Sequence, residues 1–180
     1  MKLINGWLDE AKHVPSPNFN SRPDQLTVNL LVIHNISLPP SQFGGAYIEQ
    51  FFQNCLSWDE HPYFKSIEGL EVSSHFLIKR DGELVQFVSC FDRAWHAGTS
   101  AFCGVDNCND YSVGVELEGT DCEAYTSAQY SMLAGLTKSL QAEFPGITRE
   151  RITGHSDISP GRKTDPGDSF DWGRYLSKLG

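Results

Sequence analysis

The sequence predicts an α/β fold, a central mixed β-sheet flanked by helices. Three observations carry that prediction. VNLLVIH at 28–34 and YSVGVELE at 111–118 read as strands, the first a nearly continuous apolar run. VSSHFLIK and LVQFV, on either side of Asp81-Gly82, read as a hairpin. The segment 126–144 carries a helical apolar stripe behind a capping signal. Strands interleaved with helices make a sheet with helices packed on it. The pattern does not fix strand direction, so α+β stays open beside α/β.

Taken in order, residues 5–13 are expected to form a short helix stopped by Pro15 and Pro17. A loop to about Thr27 leads into the strand at 28–34. SLPPSQFGG is a loop, because two prolines and two glycines sustain neither a helix nor a ladder. Residues 46–55 are expected to be helical, with irregular chain to about Leu70. The strands at 72–79 and 84–88 meet at Asp81-Gly82, expected as a type I′ turn with left-handed backbone at both positions. Within 111–118, Val113, Val115 and Leu117 point one way and Gly114, Glu116 and Glu118 the other. Thr126 and Gln129 make a capping box for a helix with the stripe Tyr130, Leu133, Leu136, Leu140 and Phe144, ended by Pro145-Gly146. A short strand at 151–153, a loop at 154–168 and a helix at 169–178 complete the chain.

At 180 residues, one domain over 1–180 is expected, with enough chain for one core. Lys and Arg number 14 against 23 Asp and Glu, a net charge of −9. That balance argues against binding nucleic acid, anionic membranes or anionic wall polymers, which need clustered cations. No apolar run approaches the ~20 residues that span a bilayer. The start, MKLINGWLDEAKHV, lacks the apolar core of an export signal. Five cysteines without a CxxC pair fit free thiols in a reducing cytoplasm rather than disulfides or a zinc knuckle. A cytoplasmic monomer is expected.

Candidate chemistry gathers at a few positions. His34 ends the first core strand, His155 follows the short strand at 151–153, and Asp165 lies ten residues further on in KTDPG. Nitrogen and oxygen ligands converging from separate elements suit a catalytic metal; a core histidine and ordinary loop residues fit the same pattern. Glu116 stands in mid-strand beside Gly114, which leaves room for a ligand or backbone. If buried, its carboxylate must be paired, hydrogen-bonded or raised in pKa; an exposed edge-strand glutamate is the plainer reading, which Glu118 supports. Lys163 can place a cation near Asp165 or be a solvated loop residue. Trp95, in WHAG after the hairpin, can stack on a sugar ring or cap the core. His75 fits a structural role, and His13 and His61 read as surface residues. No cysteine sits in a basic or helix-N-terminal setting that would make it a nucleophile.

Together, LLVIHNISLPPSQFGG, VSSHFLIKRDGELVQFV, RAWHAGTS, CNDYSVGVELEGTD, AYTSAQY, ITGHSDISPGRKTDPG and FDW resemble the AmpD-type amidases. These are cytoplasmic 1,6-anhydro-N-acetylmuramoyl-L-alanine amidases of the zinc-dependent type 2 amidase family, which shares the peptidoglycan-recognition fold. The resemblance runs from about Gly6 to Tyr175. It implies Zn2+ held by His34, His155 and Asp165, proton transfer by Glu116, and oxyanion stabilisation by Lys163. Asn35 and Trp95 match positions at the substrate cleft. It further implies muropeptide substrates, cell-wall recycling and control of inducible β-lactamase.

Two positions depart from the family pattern. Where relatives often carry arginines suited to peptide carboxylates, this chain has Glu71 in GLEVSSH and Asn107 in GVDNCND. Two other readings compete with the amidase one: a muropeptide-binding module that does not cut, which would typically lack a metal ligand, and an amidase acting on intact peptidoglycan, which would call for an export signal or wall-binding module.

Overall fold

In the computed structural model, which describes residues 1–23 and 27–180, the chain opens with a hairpin instead of the expected helix at 5–13. β1 (Leu3–Ile4) and β2 (Trp7–Leu8) pair antiparallel around Asn5 (φ 52°) and Gly6 (φ 81°). Left-handed backbone at both central positions is a type I′ turn, and Asn-Gly is its favoured dipeptide. β3 (Lys12–His13) follows. The expected loop to Thr27 contains β4 (Phe19–Ser21), and its 24–26 portion lies outside the described residues.

Next come β5 (Leu30–Ile36), α1 (Tyr47–Phe52) and a 3₁₀ segment at Pro62–Ile67, then the hairpin strands β6 (Phe76–Ile78) and β7 (Leu84–Gln86). β8 (Asp92–Ala94) pairs with β4, and β9 (Ala101–Phe102) pairs with β10 (Val105–Asp106). A 3₁₀ turn at Cys108–Asp110 leads into β11 (Ser112–Glu118), followed by α2 (Ser127–Glu143), β12 (Ile152–Gly154), α3 (His155–Ile158) and α4 (Trp172–Ser177). α3 occupies part of the stretch expected as loop.

The hairpin at 72–88 forms, but around a different turn. Gly82 has φ 92° while Asp81 stays outside the left-handed region, so the turn is not type I′. Gly82 N donates to Lys79 O at 2.9 Å, and Asp81 Oδ1 accepts from Glu83 N at 2.9 Å. The aspartate side chain, not a second left-handed residue, closes the bend.

Six strands make the main sheet in the order β12-β5-β11-β6-β7-β3. β12, β5, β11 and β6 run parallel, β7 is antiparallel to β6, and β3 runs parallel to β7. The sheet is therefore mixed, as expected. Both halves of the capping box form on α2: Gln129 N donates to Thr126 Oγ1 at 3.1 Å and Thr126 N to Gln129 Oε1 at 3.0 Å. The α2 stripe Leu133, Leu136 and Leu140 packs on Val113, Val115 and Leu117 in the largest apolar cluster.

The opposite sheet face is covered in two patches, one around Phe51 and Phe52 of α1, the other around Leu30, Val32 and Ile158. Further along that face, β5 and β11 carry His34 and Glu116. β11 is no edge strand: it lies between β5 and β6, and all seven of its residues are buried. The exposed edge-strand reading of Glu116 therefore fails, and Glu118, which supports it in the sequence, is buried too, accepting from Gly44 N at 2.6 Å and Arg80 N at 3.0 Å. Among the described residues no helix is long and apolar enough to cross a membrane, and the cysteines are unpaired.

Candidate metal centre and cleft

Sheet order brings the candidate residues together. β12, β5 and β11 are adjacent and parallel, so their C-terminal ends lie side by side, where open α/β sheets present ligand crevices. His34 is the register partner of Glu116, and Gly154 aligns with Ile33, which places His155 just beyond the next strand end. Asp157 Oδ2 accepts from Gly154 N and Thr153 Oγ1, each at 2.9 Å, and so starts α3 at His155. The loop after α3 returns Asp165 to the same place, where Ser156 N donates to its carbonyl at 2.9 Å.

Three side-chain atoms then form a closed triangle. His34 Nδ1 lies 2.9 Å from His155 Nδ1 and 3.1 Å from Asp165 Oδ2, and His155 Nδ1 lies 3.0 Å from the same oxygen. Three lone-pair atoms at this spacing, buried with the two histidines, need a proton or a cation among them. Burial lowers His34 to about 4, so the ring is neutral, the form that ligates metal. His155 Nε2 faces Ala97 O at 3.0 Å. A carbonyl only accepts, so that nitrogen carries the proton and Nδ1 is left bare toward the triangle. Two imidazole nitrogens and a carboxylate oxygen are the donor set of a zinc-type hydrolytic centre, and these residues fit it.

Glu116 stands next to the triangle. It is buried, and its Oε2 has no hydrogen-bond partner among the described residues. Burial, then the nearby Asp165 carboxylate, push its pKa well above the ordinary range, while Lys163 pulls it down. Lys163 is exposed on the wall of the same cleft, a volume of about 370 Å³. Asn35 lines it too, its Nδ2 donating to Asp121 Oδ1 at 2.7 Å. Trp95 lines it with a half-buried ring, fixed by Nε1 donating to Asn20 Oδ1 at 2.7 Å and by its backbone N donating to Ser73 Oγ at 3.0 Å. All seven predicted site residues thus meet at one cleft, and no cysteine lines it among the described residues.

Other expectations fare differently. The space above Gly114 is filled by the ring of His96, not by a ligand or backbone: a Cβ there would come 2.5 Å from His96 Cγ. Leu70 and Val72 line the cleft, but Glu71 between them is exposed and does not. Asn107 is exposed in a separate groove with Arg162. His75 is buried, its Nδ1 accepting from Gly114 N at 3.0 Å, the structural role expected. His13 is exposed; His61 is half-buried and caps the 3₁₀ segment, accepting from Tyr63 N at 3.1 Å. His96, 2.9 Å from His34 through its Nδ1, is the site neighbour that sequence reasoning passed over in favour of Trp95. A glycine inside a strand of branched residues was the one local sign of it.

Comparisons with known proteins agree with this fold. The N-acetylmuramoyl-L-alanine amidase family matches residues 24–168. The 1,6-anhydro-N-acetylmuramyl-L-alanine amidase AmpD of Citrobacter freundii is 54% identical over 97% of this chain and 93% of its own. A crystal structure of a Se-Met AmpD derivative superposes with TM-score 0.97 at 52% identity, covering 100% of both chains. AMPDH3 from Pseudomonas aeruginosa, solved in complex with anhydromuramic pentapeptide, matches with TM-score 0.63 and 27% identity over 84% of this chain and 59% of its own.

Proposed function

The chain belongs to the N-acetylmuramoyl-L-alanine amidase family, and on that premise we propose that it hydrolyses the amide joining 1,6-anhydro-N-acetylmuramic acid to L-alanine in muropeptides. His34, His155 and Asp165 would hold zinc. When bound, the metal supplies Lewis acidity and a water of lowered pKa. Glu116 accepts a proton from the attacking water on its free Oε2 and returns it to the departing alanine nitrogen. Its raised proton affinity suits that task, since a carboxyl poised nearer neutrality both takes and gives a proton readily. Lys163 brings positive charge to the wall where the carbonyl oxygen becomes anionic. Trp95 offers a flat apolar face to the sugar, and Asn35, oriented by Asp121, offers its remaining amide hydrogen and oxygen. The products are the anhydromuramyl sugar and a peptide beginning with L-alanine.

The observation that carries this reading is the triangle of His34, His155 and Asp165 beside a buried carboxylate oxygen with no partner among the described residues. We read the whole chain as one amidase domain working as a cytoplasmic monomer in cell-wall recycling. Removal of signalling muropeptides would then restrain inducible β-lactamase. Nucleic acid and membranes have no part in the reading. The test is metal analysis of the purified protein together with mass spectrometry of its products from a defined anhydromuramyl peptide. About one zinc per chain and cleavage at the muramyl–alanine bond are expected. Tight binding without cleavage would assign a recognition module instead, and cleavage of intact peptidoglycan alone a wall-degrading amidase.

A further inference from the structure

We propose that His96 is a positioning residue that holds His34 with the Nδ1 lone pair turned toward His155 and Asp165. The proposal rests on the metal reading of that triangle and adds a residue that reading does not need. It follows from the direction of a hydrogen-bond chain. Ser112 Oγ lies 2.6 Å from Cys108 O and 3.1 Å from His96 Nε2. A carbonyl can only accept, so the one hydroxyl proton goes to Cys108 O. The serine oxygen therefore accepts from His96 Nε2–H. A neutral imidazole protonated on Nε2 has a bare Nδ1, and this atom lies 2.9 Å from His34 Nε2. His34 Nε2 must then be the donor, which leaves its Nδ1 without a proton where the three donor atoms converge. A backbone carbonyl three bonds away thus sets the tautomer of the first metal ligand.

The surroundings hold His96 to this task. Its backbone N and that of Ala97 both donate to the buried Asn109 Oδ1, at 3.1 and 2.8 Å. Asn109 belongs to the same 3₁₀ turn that supplies Cys108 O, so one turn anchors the loop and sets the polarity of its ring. The rings of His34 and His96 meet edge to face, with centroids 5.0 Å apart and planes at 86°. Gly114 gives the ring its seat in the middle of β11, where any side chain would collide with it. The adjacent residue, Ala97, orients the second ligand, since its carbonyl takes the Nε2 proton of His155. One dipeptide thus aims both histidines, His34 through a side chain and His155 through the main chain. Such outer hydrogen bonds fix ligand orientation, and losing one typically weakens metal binding 10–100-fold, an estimate that applies here as about that range.

The test compares zinc-loaded wild type with His96→Ala, His96→Asn and Gly114→Ala, using chelator competition for affinity and ¹⁵N NMR for the ring protons. In wild type the His34 ring should carry its proton on Nε2, in slow exchange with water. His96→Ala should bind zinc about 10–100-fold more weakly and show that proton exchanging faster. His96→Asn returns an acceptor near the position of Nδ1 and should recover most of the loss, which a purely space-filling role would not. Gly114→Ala should weaken zinc binding in wild type but add little on top of His96→Ala, because the displaced ring is then gone. A His34 proton found on Nδ1, or a folded His96→Ala protein with unchanged affinity and exchange, would overturn the proposal. A wild type that takes no zinc would sink the metal reading instead, and the tautomer measurement would still decide the role of His96.

Discussion

β11 shows two faces to the protein, and they obey different rules. Val113, Val115 and Leu117 meet α2 and gain by leaving water, at roughly 25 cal/mol per Å² of apolar surface. On the other face Gly114 and Glu116 are buried too, yet neither is there for stability. Gly114 gives up side-chain packing to make room for His96, and Glu116 has an unpartnered carboxylate oxygen. Burial alone does not separate core from site here. What separates them is whether the buried groups are satisfied.

The largest effect expected from breaking this contrast lies at the triangle. His34→Ala or Asp165→Ala removes one of three donor atoms, and both variants should lose most of the zinc and nearly all turnover. The apolar face should not notice, so circular dichroism should report an unchanged fold. Full zinc content in both variants would mean that the ligands lie elsewhere.

Next comes Glu116→Gln, which should keep the metal and lose turnover by about 10²–10⁴-fold. It also has a stability signature in metal-free protein. The folded-state pKa of Glu116 is raised, so the folded state holds this proton more tightly than the unfolded chain does. The stability it contributes is present below the ordinary carboxylate value and is lost as pH rises through the raised one. Glutamine never ionises, so Glu116→Gln should be the more stable protein at pH 8 and gain no such advantage at pH 4. Thermal melts of metal-free wild type and Glu116→Gln across pH would check this divergence.

The same contrast explains what could be read from the sequence. β11 and α2 were legible because alternation and capping are local, and the α2 stripe recurs in the core as written. The first hairpin is hidden because Asn5-Gly6 lies in a short segment whose plainest signal is the stop at Pro15 and Pro17, while Asp81-Gly82 has the same turn pattern between longer strands. The exposed edge-strand reading of Glu116 fails because strand neighbours are set by tertiary order; only the position of β11 between β5 and β6 shows that it is central. Most of the site residues stand out singly in the sequence, but their roles and their grouping come through a family resemblance. The residues alone offered separate histidines and carboxylates, whose convergence depends on three strands far apart in the chain. His96 stayed hidden for the same reason, since its partners are at 34 and 112.

A truncation on the apolar face sharpens the comparison from the other side. Leu133→Ala opens a cavity under α2 and should cost about 2–5 kcal/mol in denaturant unfolding. Activity per folded molecule and zinc content should stay at the wild-type level, because Leu133 packs on the face of β11 opposite to Glu116. A matching drop in kcat would show that the two faces are mechanically coupled.

The smallest effect is expected at Glu71, where the cleft wall meets solvent. The resemblance places arginines of relatives here, facing peptide carboxylates, and a glutamate would then repel an anionic stem peptide. The structure turns this side chain outward: Leu70 and Val72 line the cleft and Glu71 does not. An exposed charge acts through water and salt, with a screening length of about 8 Å at physiological ionic strength. Glu71→Arg should therefore change KM for anionic muropeptides by less than about threefold at physiological salt, and more at low salt, the size of an exposed pair interaction. kcat should not move, since a contact remote from the scissile amide acts on ground and transition states alike. A substrate that ends after the first alanine should respond least. A tenfold drop in KM confined to long anionic peptides would show that bound substrate reaches over Glu71, and the rim would then belong to the site face of the sheet.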